Sequence, residues 1–227
     1  MKSSIAFLLL IVAVIAASAL YRAGEKPAVQ MVAGLPWQIE ILPNGDTRVF
    51  GLIPARSTLD DARRQFGMDM QIAVIAAPGE TGSLETYSSS VTTGAVMGKM
   101  ILVAAMDKQA VAKLRQRAIK SEYMDSSTRK YILHHDDLAH AWHAPIESIT
   151  FIPAANLDEH AVLERFGAPA ERIRVDTRVE HFLYPQKGLD LALDSKGKEV
   201  LQYVSPQQFA RLREPLIKAT LATNPRP

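Results

Sequence analysis

Four of the six histidines in the 227-residue chain fall in one run, His134-His135-Asp136-Asp137-Leu138-Ala139-His140-Ala141-Trp142-His143. Imidazole nitrogens and carboxylate oxygens are the donors that hold zinc or copper. On a helix Asp136, His140 and His143 stand at i, i+4 and i+7 and share one face, opposite Leu138 and Trp142, a three-ligand arrangement. The same run also fits a solvated helix face beside an apolar one, and no second ligand segment accompanies it. No metal, cofactor or catalytic residue is therefore assigned. Metal binding or metal-dependent catalysis through residues 134–143, and proton sensing by the same imidazoles, stand as the alternative.

The other chemical motifs are incomplete. Gly94-Ala95-Val96-Met97-Gly98-Lys99 has the look of a phosphate loop, but it is one residue short between its glycines, and Met100 stands where serine or threonine must hold magnesium. Ser127-Thr128-Arg129-Lys130 and Ser195-Lys196-Gly197-Lys198 fit Ser-x-x-Lys without the companion motifs, and the second reads as a hairpin turn. The absence of cysteine excludes thiol catalysis, cysteine-ligated zinc or iron–sulfur centres, and a lipid-modified cysteine behind a signal peptide. A net charge of +2, with basic residues scattered among acidic ones, does not suggest a nucleic-acid partner. What remains is a non-catalytic protein–protein interaction or adaptor module.

The elements that position these residues are clearest in the stretch 156–216. Asn156 is a natural N-cap with Glu159 at the capping-box position, and Gly167 followed by Pro169 stops the helix. Alternation at Ile173 and Val175, at Val179, His181 and Leu183, at Leu189, Leu191 and Leu193, and along 200–204 predicts strands covered on one face. Ser205-Pro206-Gln207-Gln208 reads as a second capping box, followed by Phe209, Leu212 and Leu216 on one face. Leu157 and Leu212 are expected to face the sheet. The unit is a helix, a three-strand antiparallel meander and a helix.

A less regular copy precedes it. Ile53-Pro54, Thr58-Leu59-Asp60-Asp61 and Phe66-Gly67 echo Ile152-Pro153, Asn156-Leu157-Asp158-Glu159 and Phe166-Gly167, and 109–115 echoes 207–213. Strands are expected at 71–77, 84–90 and 99–106, with Pro78-Gly79-Glu80-Thr81-Gly82 as a turn, and a hairpin around Pro43-Asn44-Gly45-Asp46 opens this half. The fold expectation is α+β, with two tandem units, each an antiparallel β-meander covered by short helices. Of the two ways to assemble them, one shared sheet or two adjoining sheets, the leading hairpin and a strand at Tyr131 favour adjoining units. They follow an N-terminal transmembrane segment.

Residues 157–167, Pro169, Phe182-Leu183-Tyr184-Pro185, Gly188-Leu189-Asp190-Leu191 and Gly197-Lys198 resemble the helix, Phe-Gly-x-Pro, aromatic-strand and glycine-turn pattern of the SmpA/OmlA family. That family is the small lipoprotein of the outer-membrane barrel-assembly machinery, similar in fold to β-lactamase inhibitor protein. The resemblance implies a small α+β adaptor that acts by surface contacts in the cell envelope. Two departures, the missing lipobox cysteine and the tandem duplication, keep membership of the barrel-assembly complex from being carried over.

Residues 5–20 carry no charge and almost no polar group, between Lys2 and Tyr21-Arg22, and approach the roughly 17-residue lower limit of a spanning helix. Ala17-Ser18-Ala19 also has the small-residue form of a cleavage site, so signal sequence and anchor compete, and the anchor is preferred. The expected organisation is anchor or signal 1–22, linker 23–34, first repeat 35–118, connection 119–148, second repeat 149–218 and tail 219–227. The expected place is a bacterial inner membrane, single-pass, with the body in the periplasm. The expected partners are the lipid bilayer and an unknown envelope protein.

Overall fold

The computed structural model describes residues 33–124 and 127–223. The expected membrane segment, the linker up to residue 32 and the end of the tail lie outside them. Turn chemistry sets the first elements: Gly45 takes the left-handed conformation in the loop joining β1 (Glu40–Ile41) to β2 (Thr47–Arg48). Thr58 and Asp61 then form a reciprocal capping box on helix α1 (Leu59–Phe66). Strands β3 (Gln71–Ala76), β4 (Ser83–Thr93) and β5 (Val96–Ala104) form the first meander, followed by α2 (Lys108–Gln116) under an Asp107 cap. The run expected as a connection holds three elements: β6 (Lys120–Tyr123), β7 (Arg129–Ile132) and α3 (His135–Trp142).

Strand β8 (Ile146–Pro153) leads to α4 (Glu159–Phe166), then to the second meander of β9 (Glu171–Arg174), β10 (Val179–Tyr184), β11 (Leu189–Asp194) and β12 (Val200–Val204), and to α5 (Ala210–Thr223). The ten strands from β3 to β12 form one antiparallel sheet in the order β6-β7-β3-β4-β5-β8-β12-β11-β10-β9. The fold is α+β. The adjoining-sheet arrangement is corrected: β8 is hydrogen-bonded to β5 on one edge and to β12 on the other, so both meanders share it. The seam needs a close approach at Gly98, where a Cβ would come within 2.5 Å of the Phe151 ring and of the Ile152 carbonyl.

Cross-strand register gives each face its content. On the front face Ile72, Thr86, Leu102, Ile149, Tyr203, Leu189 and Tyr184 lie side by side across seven strands. All but Ile72 are buried. Four helices cover them, through Leu59 and Ala62, Val111 and Leu114, Ala141 and Trp142, and Val162 and Phe166, together with Val49, Phe50 and Leu52 after β2. Phe50 holds a positive φ of 55° while its ring packs 5.3 Å from both Phe151 and Tyr203, and Gln65 donates to its carbonyl. The back face is covered at one corner, where Phe209, Leu212, Leu216 and Ile217 on or before α5 pack on Ile173, Leu183 and Val204.

Several local expectations shift. Asp158, not Asn156, caps α4 by accepting from the Ala161 amide at 2.7 Å, while the Asn156 side chain accepts from Lys198. Leu157 then sits one residue before the cap and Val162 four after it, the positions of a hydrophobic staple, and both are buried. This makes α1 and α4 equivalent at a spacing of 100: Thr58 with Asp158, Ala62 with Val162, Phe66 with Phe166, Gly67 with Gly167. Both expected pairings fail: Leu59 is the first residue of α1 whereas Leu157 precedes the α4 cap, and Leu114 lies with α2 on the front face whereas Leu212 lies with α5 on the back. Ser205 caps nothing; its hydroxyl bonds Gln207, and a 3-10 turn over Pro206–Gln208 precedes α5.

Phe151→Ala, at the seam, is expected to cost about 3–5 kcal/mol, whereas Leu212→Ala, half-buried, should cost about 1 kcal/mol or less. Denaturant melts of the two variants check the ranking, and equal losses contradict it.

Candidate functional site

The histidine run is divided between the start of α3 and a cleft beside it. His134 is the N-cap of α3, its Nδ1 accepting from the Asp136 amide at 3.3 Å. Asp136 lies 2.9 Å from His135 Nε2 and 3.3 Å from His134 Nδ1, and the two imidazole rings sit 4.2 Å apart. Among the described residues, the donors close enough to share an ion are thus His134, His135 and Asp136, all within 4.8 Å of one another. The expected set of Asp136, His140 and His143 is not brought together: one ring nitrogen of His143, Nδ1, is 2.6 Å from its own helix's Ala139 carbonyl and donates to it. His140 turns toward a cleft of about 440 Å³ between α2 and α3, lined also by Lys113, Arg117 and Asp137. Arg117 reaches Asp137 at 3.1 Å and Asp136 at 3.8 Å, so a fixed cation already partners these carboxylates.

Gly94-Ala95 is the β4–β5 hairpin turn and 96–99 belong to β5, while Ser195-Lys196-Gly197-Lys198 is, as expected, the loop between β11 and β12. Neither faces a phosphate-sized nest of helix amides, which requires a following helix.

A second candidate is the back face. Across eight strands Gln71, Tyr87, Ile101, Thr150, Gln202, Asp190, Leu183 and Glu171 stand in one row. Its second-meander end lies under α5. At the other end Ile75, Tyr87, Ile101, Val103, Ile132 and Ile152 are partly exposed and belong to neither hydrophobic cluster among the described residues. A cavity of about 320 Å³ opens there, walled by Ala73, Ile75, Tyr87, Ile101 and Met124. Its polar groups are Glu85, which takes a 2.6 Å hydrogen bond from the Ser83 hydroxyl, and Lys130, which donates to Gln71 at 2.6 Å. Burial pushes the Glu85 carboxyl above its ordinary value, and the Ser83 bond only partly opposes this.

Midway along the same face His181 Nδ1 lies 2.9 Å from both carboxylate oxygens of Asp190, with both side chains largely buried. A carboxylate orienting an imidazole is half of a nucleophile-activating relay. No serine or threonine hydroxyl is recorded against that imidazole among the described residues, so the pair's visible work is to satisfy two buried polar groups. The sequence signals the strands that carry this face through their alternation. It does not signal which face stays open, because that depends on where the helices land.

No protein-family model matches the chain, and comparison with curated proteins and with solved structures finds no match. Among the described residues no helix is long and apolar enough to cross a membrane.

The Glu85 shift has a defined sign. A carboxyl whose folded pKa is raised adds stability below its ordinary value of 4.5 and loses that contribution as pH climbs through the folded value. Glu85→Gln should therefore leave Tm unchanged at pH 4 and raise it at pH 7. Thermal melts at the two pH values decide, and a lower Tm for the variant at pH 7 contradicts the burial account.

Proposed function

We propose that the chain is a membrane-anchored bacterial envelope protein of two tandem α+β units, and that it works as a non-catalytic adaptor, binding another envelope protein through the open back face. The observation that carries the reading is the unequal covering of the sheet. Four helices cover the front, whereas Ile75, Tyr87, Ile101, Val103 and Ile132 face outward beyond the reach of α5. A contiguous, partly exposed apolar surface rimmed by polar residues such as Gln71, Glu85 and Lys130 is what partner contacts use. The tandem reading is supported by the capped helices α1 and α4 and by the two meanders that end against β8. On this reading the second helix of each unit has diverged to opposite faces. The SmpA/OmlA-like pattern of the second meander is in keeping with an adaptor of the envelope, and the uncharged run 5–20 supplies the inner-membrane anchor, with the body in the periplasm.

Photo-crosslinking in cells, from Ile101 and from Lys196 in the exposed β11–β12 loop, tests this. A discrete adduct from Ile101, none from Lys196, and recovery with the inner membrane are expected. Equal adducts from both positions overturn the surface, and a mature chain starting at Leu20 and freed by osmotic shock overturns the anchor.

One observation favours a second reading. The one lone pair of His134 Nδ1 is given to the Asp136 amide, a bond that a metal ion would replace, and the same nitrogen lies 3.3 Å from an Asp136 oxygen. Two acceptors face each other, and a divalent cation shared with His135 would relieve them; nitrogen and oxygen donors about 2.0–2.2 Å from one zinc ion stand at similar separations. Titration calorimetry with zinc and copper checks it. His135→Ala should weaken binding by tenfold or more, and no heat from the native chain rejects the site.

A further inference from the structure

The sheet ends in two strands that have one neighbour each, β6 and β9. The β9 end is fastened, since Arg213 on α5 pairs with Glu171 at 2.6 Å and α5 packs along it. Strand β6 has no such cover among the described residues. It also concentrates exposed apolar side chains: Ile119 just before it is 64% exposed, Tyr123 at its end 71%, and Met124 just after it 46%. Free backbone groups beside exposed apolar residues form a template for another strand.

The residues of this edge are self-complementary. Read in either direction, Ile119-Lys120-Ser121-Glu122-Tyr123 presents apolar, charged, small, oppositely charged, apolar. The backbone agrees. Met124 donates its amide to the Thr128 carbonyl at 2.8 Å, so in this antiparallel ladder residues 124, 122 and 120 aim their hydrogen-bonding groups at β7. Ser121 and Tyr123, the alternate residues, aim theirs outward.

We propose that β6 pairs antiparallel with β6 of a second copy of this chain, about a two-fold axis at Ser121. The outward amide and carbonyl of Ser121 then meet their own equivalents. On the back face Lys120 stands opposite Glu122 of the other copy, twice, while Ile119, whose amide is already given to the Ile132 carbonyl at 2.9 Å, flanks the paired segment beside Tyr123 of the other copy without joining its ladder. Lys120 already lies 2.6 Å from Glu122 of its own strand, so pairing exchanges an internal ion pair for two crossed ones on the same face. Tyr123 is held for the contact by Arg129, whose guanidinium stacks 4.2 Å over the ring. A four-residue edge strand falls short of the roughly 1,000 Å² of a stable specific interface, so the dimer is reversible and concentration-dependent.

The chain has no cysteine, so a single introduced thiol reports on this contact alone. Directly opposed residues of a hydrogen-bonded antiparallel pair have Cα atoms about 5.5 Å apart, within the range a disulfide spans. In the full chain in mild detergent, Ser121→Cys should oxidise to a covalent dimer at least ten times faster than Ser195→Cys in the exposed β11–β12 loop. Added to Ser121→Cys, Lys120→Glu or Glu122→Lys should each abolish the advantage. Mixing those two variants should restore it between unlike chains, which a misfolded strand could not do. A Ser121→Cys rate no greater than that of Ser195→Cys, or one unmoved by the charge reversals, overturns the proposal.

Discussion

Strand β8 is bonded along both edges, and the two meanders meet only through it. A strand in that place must be buried on its front face and supply partners on both sides without a break. The sequence Ile-Glu-Ser-Ile-Thr-Phe-Ile-Pro meets this, with Ile146, Ile149 and Phe151 fully buried. Proline is tolerated at its last position, where it pairs with Gly98, and the bare glycine makes room for the ring of Phe151. The strained backbone at Phe50 is explained by the same place: its ring fills the space between Phe151 and Tyr203, and the gain in aromatic packing offsets a left-handed conformation that costs on the order of 1–3 kcal/mol. The Tyr203 hydroxyl, deep in the interior, donates to the Pro36 carbonyl at 2.9 Å, and burial holds that phenol well above its ordinary pKa. The N-terminal approach to the domain is thereby tied to the seam.

The unequal faces follow from helix placement. Helices α1 to α4 all settle on the front because each carries apolar residues on one stripe and leaves short connections to neighbouring strands. Among the described residues α5 is the helix on the other side, where it covers Ile173, Leu183 and Val204. One helix cannot cover ten strands, so the first meander's back face keeps its apolar residues at half exposure.

Much of this was legible beforehand. Alternation located the strands of the second meander, cap and stop chemistry located α4 though with the cap two residues early, and the echo of the second half located α1 and α2. The edge strand β6 was not legible: Lys-Ser-Glu-Tyr has no buried face, and its pairing with β7 depends on a neighbour that itself lies between two strands. The equivalence of Leu114 and Leu212 misled because a shared apolar spacing fixes a helix's stripe but not the sheet face it meets. At the histidine run the helix was legible and the ligand set was not. A three-residue spacing places side chains on one face, but His143 bonds its own helix and His134 lies before the first turn, where the 3.6 period no longer applies.

The electrostatics of the interior explain why the adaptor reading is preferred to an enzymatic one. Catalysis at neutral pH needs an acid or base held away from its resting charge and aimed at an accessible point. Of the four buried carboxylates among the described residues, all but Glu199 are spoken for: the hydrogen bond from Arg56 holds Asp46 below the usual range, and burial of Asp60 is outweighed by Arg63 and Arg64. Asp190 is bonded on both oxygens by His181. The enclosed polar atoms left without partners, among them Thr86 Oγ1, Glu199 Oε2 and Gln208 Oε1, are scattered over β4, the approach to β12 and the turn before α5, and do not converge. The group displaced toward neutrality is Glu85, and it stands on the open apolar face with no nucleophile but Ser83 beside it. A carboxyl that is half-desolvated before any partner arrives has lost part of the hydration that docking would otherwise have to remove, and so suits a contact surface better than a catalytic cleft.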